Sequence, residues 1–130
     1  MTKLFLLLLL LPQLSSASVE FEKFSYWRSG KQIQVPIAEV DNVKVNDICA
    51  NKQNKCIALK KLHQKSSLKK MRQAIPGNAA GSYCDFLSGT QLFMQRNGDG
   101  LKSQFCVFSD LTMVDAKDLY LRHYGEGRKK

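Results

Sequence analysis

The residues with the clearest chemistry in this sequence are four cysteines, Cys49, Cys56, Cys84 and Cys106. Thiols can ligate a metal, act as nucleophiles or oxidise in pairs, and spacing separates these uses. A structural metal site needs close ligand pairs such as Cys-x-x-Cys, or clustered histidines. Here the intervals are long, and His63 and His123 stand alone, so neither a metal site nor a cofactor is expected. A nucleophile needs an oriented base beside it. His63 lies in a lysine-rich stretch, His123 sits between Arg122 and Tyr124, and no Gly-x-Ser-x-Gly elbow is present. Paired carboxylates could serve a glycosidase, but Asp110, Asp115 and Asp118 read as helix-capping groups. Asn97, Asp99 and Gly100 match part of a calcium loop, yet Gln95 and Cys106 stand where its first acid and closing Glu belong. No enzyme is expected. What remains is oxidation: an even cysteine count in an exported chain of this size reads as disulfides, with three pairings open.

The second chemical feature is charge. Lys and Arg number 20 against 11 acids. Lys60, Lys61, Lys65, Lys69, Lys70 and Arg72 follow one another with no acid between them, and they are the candidate residues for binding an anionic partner. Leu59 and Leu62 would share a helical face, while Leu68, Met71 and Ile75 fall on another. The segment therefore lacks the continuous apolar stripe of a membrane-surface helix and reads as a solvated connector or two short helical turns. The basic surplus suits anionic lipid, lipopolysaccharide, acidic sugars or an acidic protein. Nucleic acid is disfavoured, because export removes the chain from it and most aromatics fall on expected core faces.

Export is argued by the N-terminus. Lys3 gives a positive start, Leu4 to Leu11 is an unbroken apolar run, Pro12 breaks it, and Ser15-Ser16-Ala17 is a small-residue exit. This is the pattern of a secretory signal peptide, residues 1–17. The run is too short for a spanning helix, which needs roughly 20 apolar residues. Cleavage after Ala17 leaves 130 − 17 = 113 residues with a charge of 20 − 1 − 11 = +8. The mature chain is expected to be secreted or periplasmic, without a further membrane span.

The elements that must position these groups follow from periodicity. Residues 18–59 read as a small β unit. Phe21, Phe24, Tyr26 and Trp27 suit a pleated surface, Ser29-Gly30 is a turn, and Ile33, Val35 and Ile37 alternate with polar neighbours. Pro36 predicts an edge strand. The polar run between Ile48-Cys49 and Cys56-Ile57 resembles a hairpin loop that would set Cys49 opposite Cys56. Residues 60–77 form the basic connector. From 78 onward, Asn78 is a helix N-cap, Ala80, Tyr83, Cys84 and Leu87 form an apolar helical face, and Gly89 sits at the helix end. Residues 90–95 and 103–108 flank the turn Asn97-Gly98-Asp99-Gly100. Asp110 or Thr112 is expected to cap a closing helix carrying Ala116, Leu119, Tyr120 and His123 on one face. Residues 125–130 are a basic tail.

In order, Asn78-Ala79-Ala80, Tyr83-Cys84, Gly89-Thr90, Leu92, Asp99-Gly100, Cys106-Val107-Phe108 and Asp110 resemble a short bacterial envelope module labelled hemolysin, domain of unknown function 333. The resemblance covers residues 78–124. It is a divergent copy: Ala79 and Ser109 stand where the family has Pro, Leu111 where it has Gly, and Val114 where it often has a third Cys. The resemblance implies pairing of Cys84 with Cys106, the two cysteines of the module that remain. It transfers no catalytic residue.

The expected architecture is α+β: a small disulfide-linked β unit followed by a helix–β-hairpin–helix module. The expected function is that of an exported, non-enzymatic envelope or secreted protein that binds an anionic component or partner. The alternatives are an inhibitor of an extracytoplasmic protease or lysozyme, working through the tip Asn97 to Leu101, and a membrane-active protein.

Overall fold

The computed structural model of the chain describes residues 19–64 and 77–124. The expected signal peptide (1–17), the basic tail and positions 65–76 of the connector lie outside the described residues. Six strands close into one antiparallel barrel in the order β1-β2-β3-β6-β5-β4. They are β1 (Glu22–Arg28), β2 (Lys31–Val40), β3 (Val43–Asn46), β4 (Thr90–Arg96), β5 (Lys102–Val107) and β6 (Met113–Asp115). Among the described residues, four α-helices accompany them, α1 (Asp47–Asn51), α2 (Ile57–His63), α3 (Ala79–Phe86) and α4 (Ala116–Tyr124), with a 3-10 turn at Gln53–Lys55. None is long and apolar enough to cross a membrane.

Each half of the barrel is a three-stranded meander built by local turn chemistry. Ser29 and Gly30 both take positive φ between β1 and β2, and Asp41 and Asn42 do the same between β2 and β3, as a two-residue hairpin turn twisted with its strands requires. Phe24, Val35, Ile37, Met94, Phe105 and Met113 fill the barrel, with Phe24 and Phe105 meeting edge to face at 5.4 Å between ring centres. A second core lies outside it. Beyond Ile37 the burial parity of β2 switches: Ala38 and Val40 are buried and Glu39 exposed. Val40, Val43, Val45, Cys106 and Val114 pack there under the helices, against Leu59, Leu62, Tyr83 and Leu119.

Several expectations are corrected. Whether the β unit at 18–59 and the module at 78–124 pack together was left open by the sequence; β1 pairs with β4 and β3 with β6, so both close one barrel. Strand pairing across that distance leaves no local trace in the sequence. The module is a helix, a three-stranded meander and a helix, because β6 intervenes before α4. The cap of α4 is Asp115, whose carboxylate accepts from the Asp118 amide at 2.9 Å, and not Asp110 or Thr112. The 48–57 stretch is helical, not a hairpin, and α2 runs across the expected boundary at position 59. Asn46 caps α1 through the Cys49 amide at 3.4 Å, and Cys56 is the N-cap of α2. Pro36 lies on a strand with neighbours on both sides, but β2 pairs with β1 only up to Ile37 and with β3 only from Ile37. At Pro36 the strand has one neighbour, which is where a missing N–H is tolerated.

Both disulfides are formed, Cys49–Cys56 and Cys84–Cys106, with Cα separations of 5.0 and 5.6 Å. Gly89 serves the second. A Cβ at that position would collide with both sulfurs, while the positive φ at the helix end belongs to Ser88. The Gly89 amide donates to the Cys84 carbonyl and the Ser88 amide to that of Asp85, which closes α3 in a Schellman motif.

Candidate binding face

Among the described residues, the helices cover one side of the barrel and leave open the outer face of β1, of the first half of β2, and of β4 and β5 towards the turn that joins them. Alternation decides which side chains stand there. With Phe24 and Tyr26 turned to the barrel interior, Lys23, Ser25 and Trp27 must face outward. On β4, Leu92 and Met94 point inward, and Gln91, Phe93 and Gln95 outward. β2 contributes Gln32 and Gln34, and β5 Lys102 and Gln104. Ser25 is paired with Gln95. The same register carried two residues on brings Trp27 beside Phe93, and both line one depression of about 380 Å³. Trp27 is 72 % and Phe93 64 % exposed, a large apolar area left in water. None of these outward positions is an acid.

The polar groups around the two rings are held in place. Trp27 lies opposite Gln32, and the Gln32 amide donates to Ser25 Oγ at 3.1 Å. Phe93 lies opposite Gln104. The Gln104 amide donates to Gln91 Oε1 at 2.6 Å, and Gln91 in turn donates to the Gly81 carbonyl and Asp85. Phe93 and Lys102 also line a second depression of about 670 Å³, which runs on to Lys44 and the start of α4. There Asp115 is buried, and burial pushes its carboxyl up despite the Asp118 amide.

The tip between β4 and β5 is fixed as well. Arg96 donates from Nε to both Asp99 oxygens, at 3.1 and 3.2 Å, and its Nη2 also reaches Asp99. That contact, with the Leu101 amide, holds the Asp99 carboxyl down at about 2.

Of the expected cationic residues, the two that are described, Lys60 and Lys61, are not on this face. Lys60 is exposed and Lys61 half-buried on α2, while Lys65, Lys69, Lys70 and Arg72 lie outside the described residues. The two histidines are held apart in separate roles. His63 Nε2 meets Asp41 Oδ2 at 3.1 Å on the surface. His123 Nε2 donates to the Leu62 carbonyl at 2.8 Å, which leaves Nδ1 to accept from the Tyr83 hydroxyl. His123 thereby ties α4 to α2 and α3.

Sequence reasoning placed most aromatics on core faces and so missed Trp27 and Phe93. A signal was present. Tyr26 and Trp27 are adjacent, and in a strand of period two only one of them can face the core. Phe93 stands between Leu92 and Met94 in the same way.

Compared with known proteins, the chain matches no family model, and neither a curated protein nor a solved structure matches it.

Proposed function

We propose that this chain is an exported, non-catalytic protein that holds an anionic partner against the open face of its barrel. The observation that carries the reading is the pair Trp27 and Phe93, exposed side by side in a depression that Lys102 lines and no acid does, with Lys23 on the same face of β1. Exposed aromatics supply contact area at small entropic cost. The surplus of basic residues, with Lys60, Lys61, Lys65, Lys69, Lys70 and Arg72 among them, supplies long-range attraction. Two disulfides agree with an oxidising, extracytoplasmic location. The envelope module that residues 78–124 resemble fits the same location.

The test is binding of anionic and zwitterionic surfaces at about 50 and about 500 mM salt, a range over which the screening length falls several-fold. Affinity is expected to fall steeply with salt and on Lys23→Glu or Lys102→Glu. Equal affinity at both salts, or no effect of either reversal, overturns the reading.

A second reading is favoured by the β4–β5 tip. The Arg96–Asp99 pair fixes it and Leu101 is 48 % exposed, so little ordering entropy would be lost in entering a hydrolase cleft. Inhibition of a secreted protease or lysozyme that disappears on Leu101→Asp would establish this role. Full enzyme activity at micromolar protein would remove it.

A further inference from the structure

We infer that the partner of the open face is an acidic polysaccharide, a chain of uronic-acid or sulfated sugars. The inference rests on the proposed anionic-partner reading and names the partner's class. It comes from what surrounds the two rings. Across the strands, Trp27 faces Gln32, Phe93 faces Gln104, and Gln95 faces Ser25 and Lys102. Each exposed ring thus has an amide on one flank and the other ring on its second.

A lipid surface does not suit that pattern. Driving Trp27 and Phe93 to the acyl boundary would carry the flanking glutamines with them, because sheet register fixes their spacing, and their amides would lose water without gaining partners. The rings stand on the side of a barrel, among amides, and not on a protruding apolar tip. Single-stranded nucleic acid would use the rings, but its phosphate at every residue calls for a row of cations along the groove. Lys23 and Lys102 are the cations at the outward positions of this face.

A sugar chain meets each feature. Its C–H faces stack on aromatic rings. Its hydroxyls donate and accept, as do glutamine side chains. Neighbouring strands lie about 4.8 Å apart, on the order of one sugar ring, so Trp27 and Phe93 can each take one residue of a chain. The second depression shares Phe93 and Lys102 but is also lined by Asp115 and Asp118, so the acidic chain is assigned to the first. The absence of acid from the lining of the first depression, with Lys102 in it and Lys23 on the same face, selects carboxylated or sulfated sugars over neutral ones.

Trp27 is the chain's single tryptophan, so the site carries its own reporter. The purified protein is titrated with polygalacturonate, chondroitin sulfate, neutral dextran, phosphatidylglycerol vesicles and oligo-dT, followed by tryptophan emission and calorimetry. Saturable binding of polygalacturonate or chondroitin sulfate is expected, with a changed Trp27 emission and at least tenfold weaker binding of dextran. Trp27→Ala and Phe93→Ala should each weaken it at least tenfold by calorimetry at an unchanged melting temperature, and Trp27→Phe should restore most of it. Binding of vesicles or oligo-dT more tightly than both acidic glycans overturns the glycan assignment and leaves the anionic-partner reading standing. Binding of dextran as tightly as the acidic glycans overturns the acidic class. Failure to bind any of the anionic probes overturns both.

Discussion

The two sides of the barrel are built on opposite terms. On the helix side, side chains are locked to one another. Cys84–Cys106 joins α3 to β5, and Cys49–Cys56 joins α1 to the start of α2. Asn46, 1 % exposed, accepts from the Met113 and Cys49 amides and donates to the Leu111 carbonyl. Asp110 accepts from the Ile57 amide and from Thr112, whose hydroxyl accepts from the Ala58 amide. On the open side, Trp27 and Phe93 have their rings largely in water. Residues of the helix side hold the fold, and those of the open side are free for another task. A group that is locked on several sides is costly to change, and one that touches little is not.

The largest effect is therefore expected from the longer disulfide loop. Joint Cys84→Ala and Cys106→Ala substitution should cost about 3 kcal/mol, for a loop closed across 22 positions. Urea unfolding at pH 7 measures it. Ligand affinity per folded molecule should not change, because neither sulfur reaches the open face. A loss below about 1 kcal/mol would show that the helix layer is not the part that holds the barrel closed.

Asn46→Ala comes next, at about 2 kcal/mol. Its removal leaves the Met113 amide and the Leu111 carbonyl without the partner they have now, and buried groups so orphaned cost about 1–3 kcal/mol. The mutant's unfolding midpoint, set beside that of the disulfide variant, ranks the polar lock against the covalent one.

Local chemistry was legible and long-range closure was not. Ser29-Gly30, Asn97-Gly98 and the Asn78 cap carry their signal within a few residues, and the inward alternation of Ile33, Val35 and Ile37 needs no partner to be seen. The pairing of β3 with β6 rests on Val45 opposite Val114, two residues that any apolar strand could supply. The helices at 47–63 were hidden for a different reason. Part of their support comes from Asp110 and Thr112, far along the chain, which satisfy the first amides of α2. The lysines at 60 and 61 were visible as charge, but they stand on α2 and not in the candidate site. The open face was not visible, because exposure of Trp27 depends on which strands the helices leave uncovered.

A smaller effect separates two aspartates. Burial pushes Asp110 up, but the Thr112 hydroxyl and the Ile57 and Thr112 amides outweigh it, so its carboxyl ends below its ordinary 3.8. Its contribution is present above that value and is lost as pH falls through the folded-state pKa. Burial dominates at Asp115 and raises it from the same 3.8. The folded state then holds a proton the unfolded chain has released, so stability falls as pH rises from near 3.8 through the raised folded value, and the deficit persists at pH 7. Asp115→Asn keeps a good N-cap and removes that deficit. It should stabilise by under about 1 kcal/mol at pH 7 and by nothing at about pH 3. Asp110→Asn should destabilise at pH 7 and less so at pH 3. Parallel urea titrations of both variants at the two pH values check the opposite signs.

The smallest stability effect is expected where the largest functional one lies. Trp27→Ala and Phe93→Ala should each change the unfolding free energy by no more than about 0.5 kcal/mol, the range of surface substitutions that break no buried contact. Residues whose loss leaves the fold intact, yet which place two large rings in water, cannot be accounted for by packing. If either variant instead costs as much as Asn46→Ala, its ring is part of the barrel's own support. The contrast between the two sides would then collapse, and the open face would lose its standing as a site. If the cost is small and binding is lost, the face is separable from the scaffold, and a variant folded but unable to bind becomes the control for every later test of its partner.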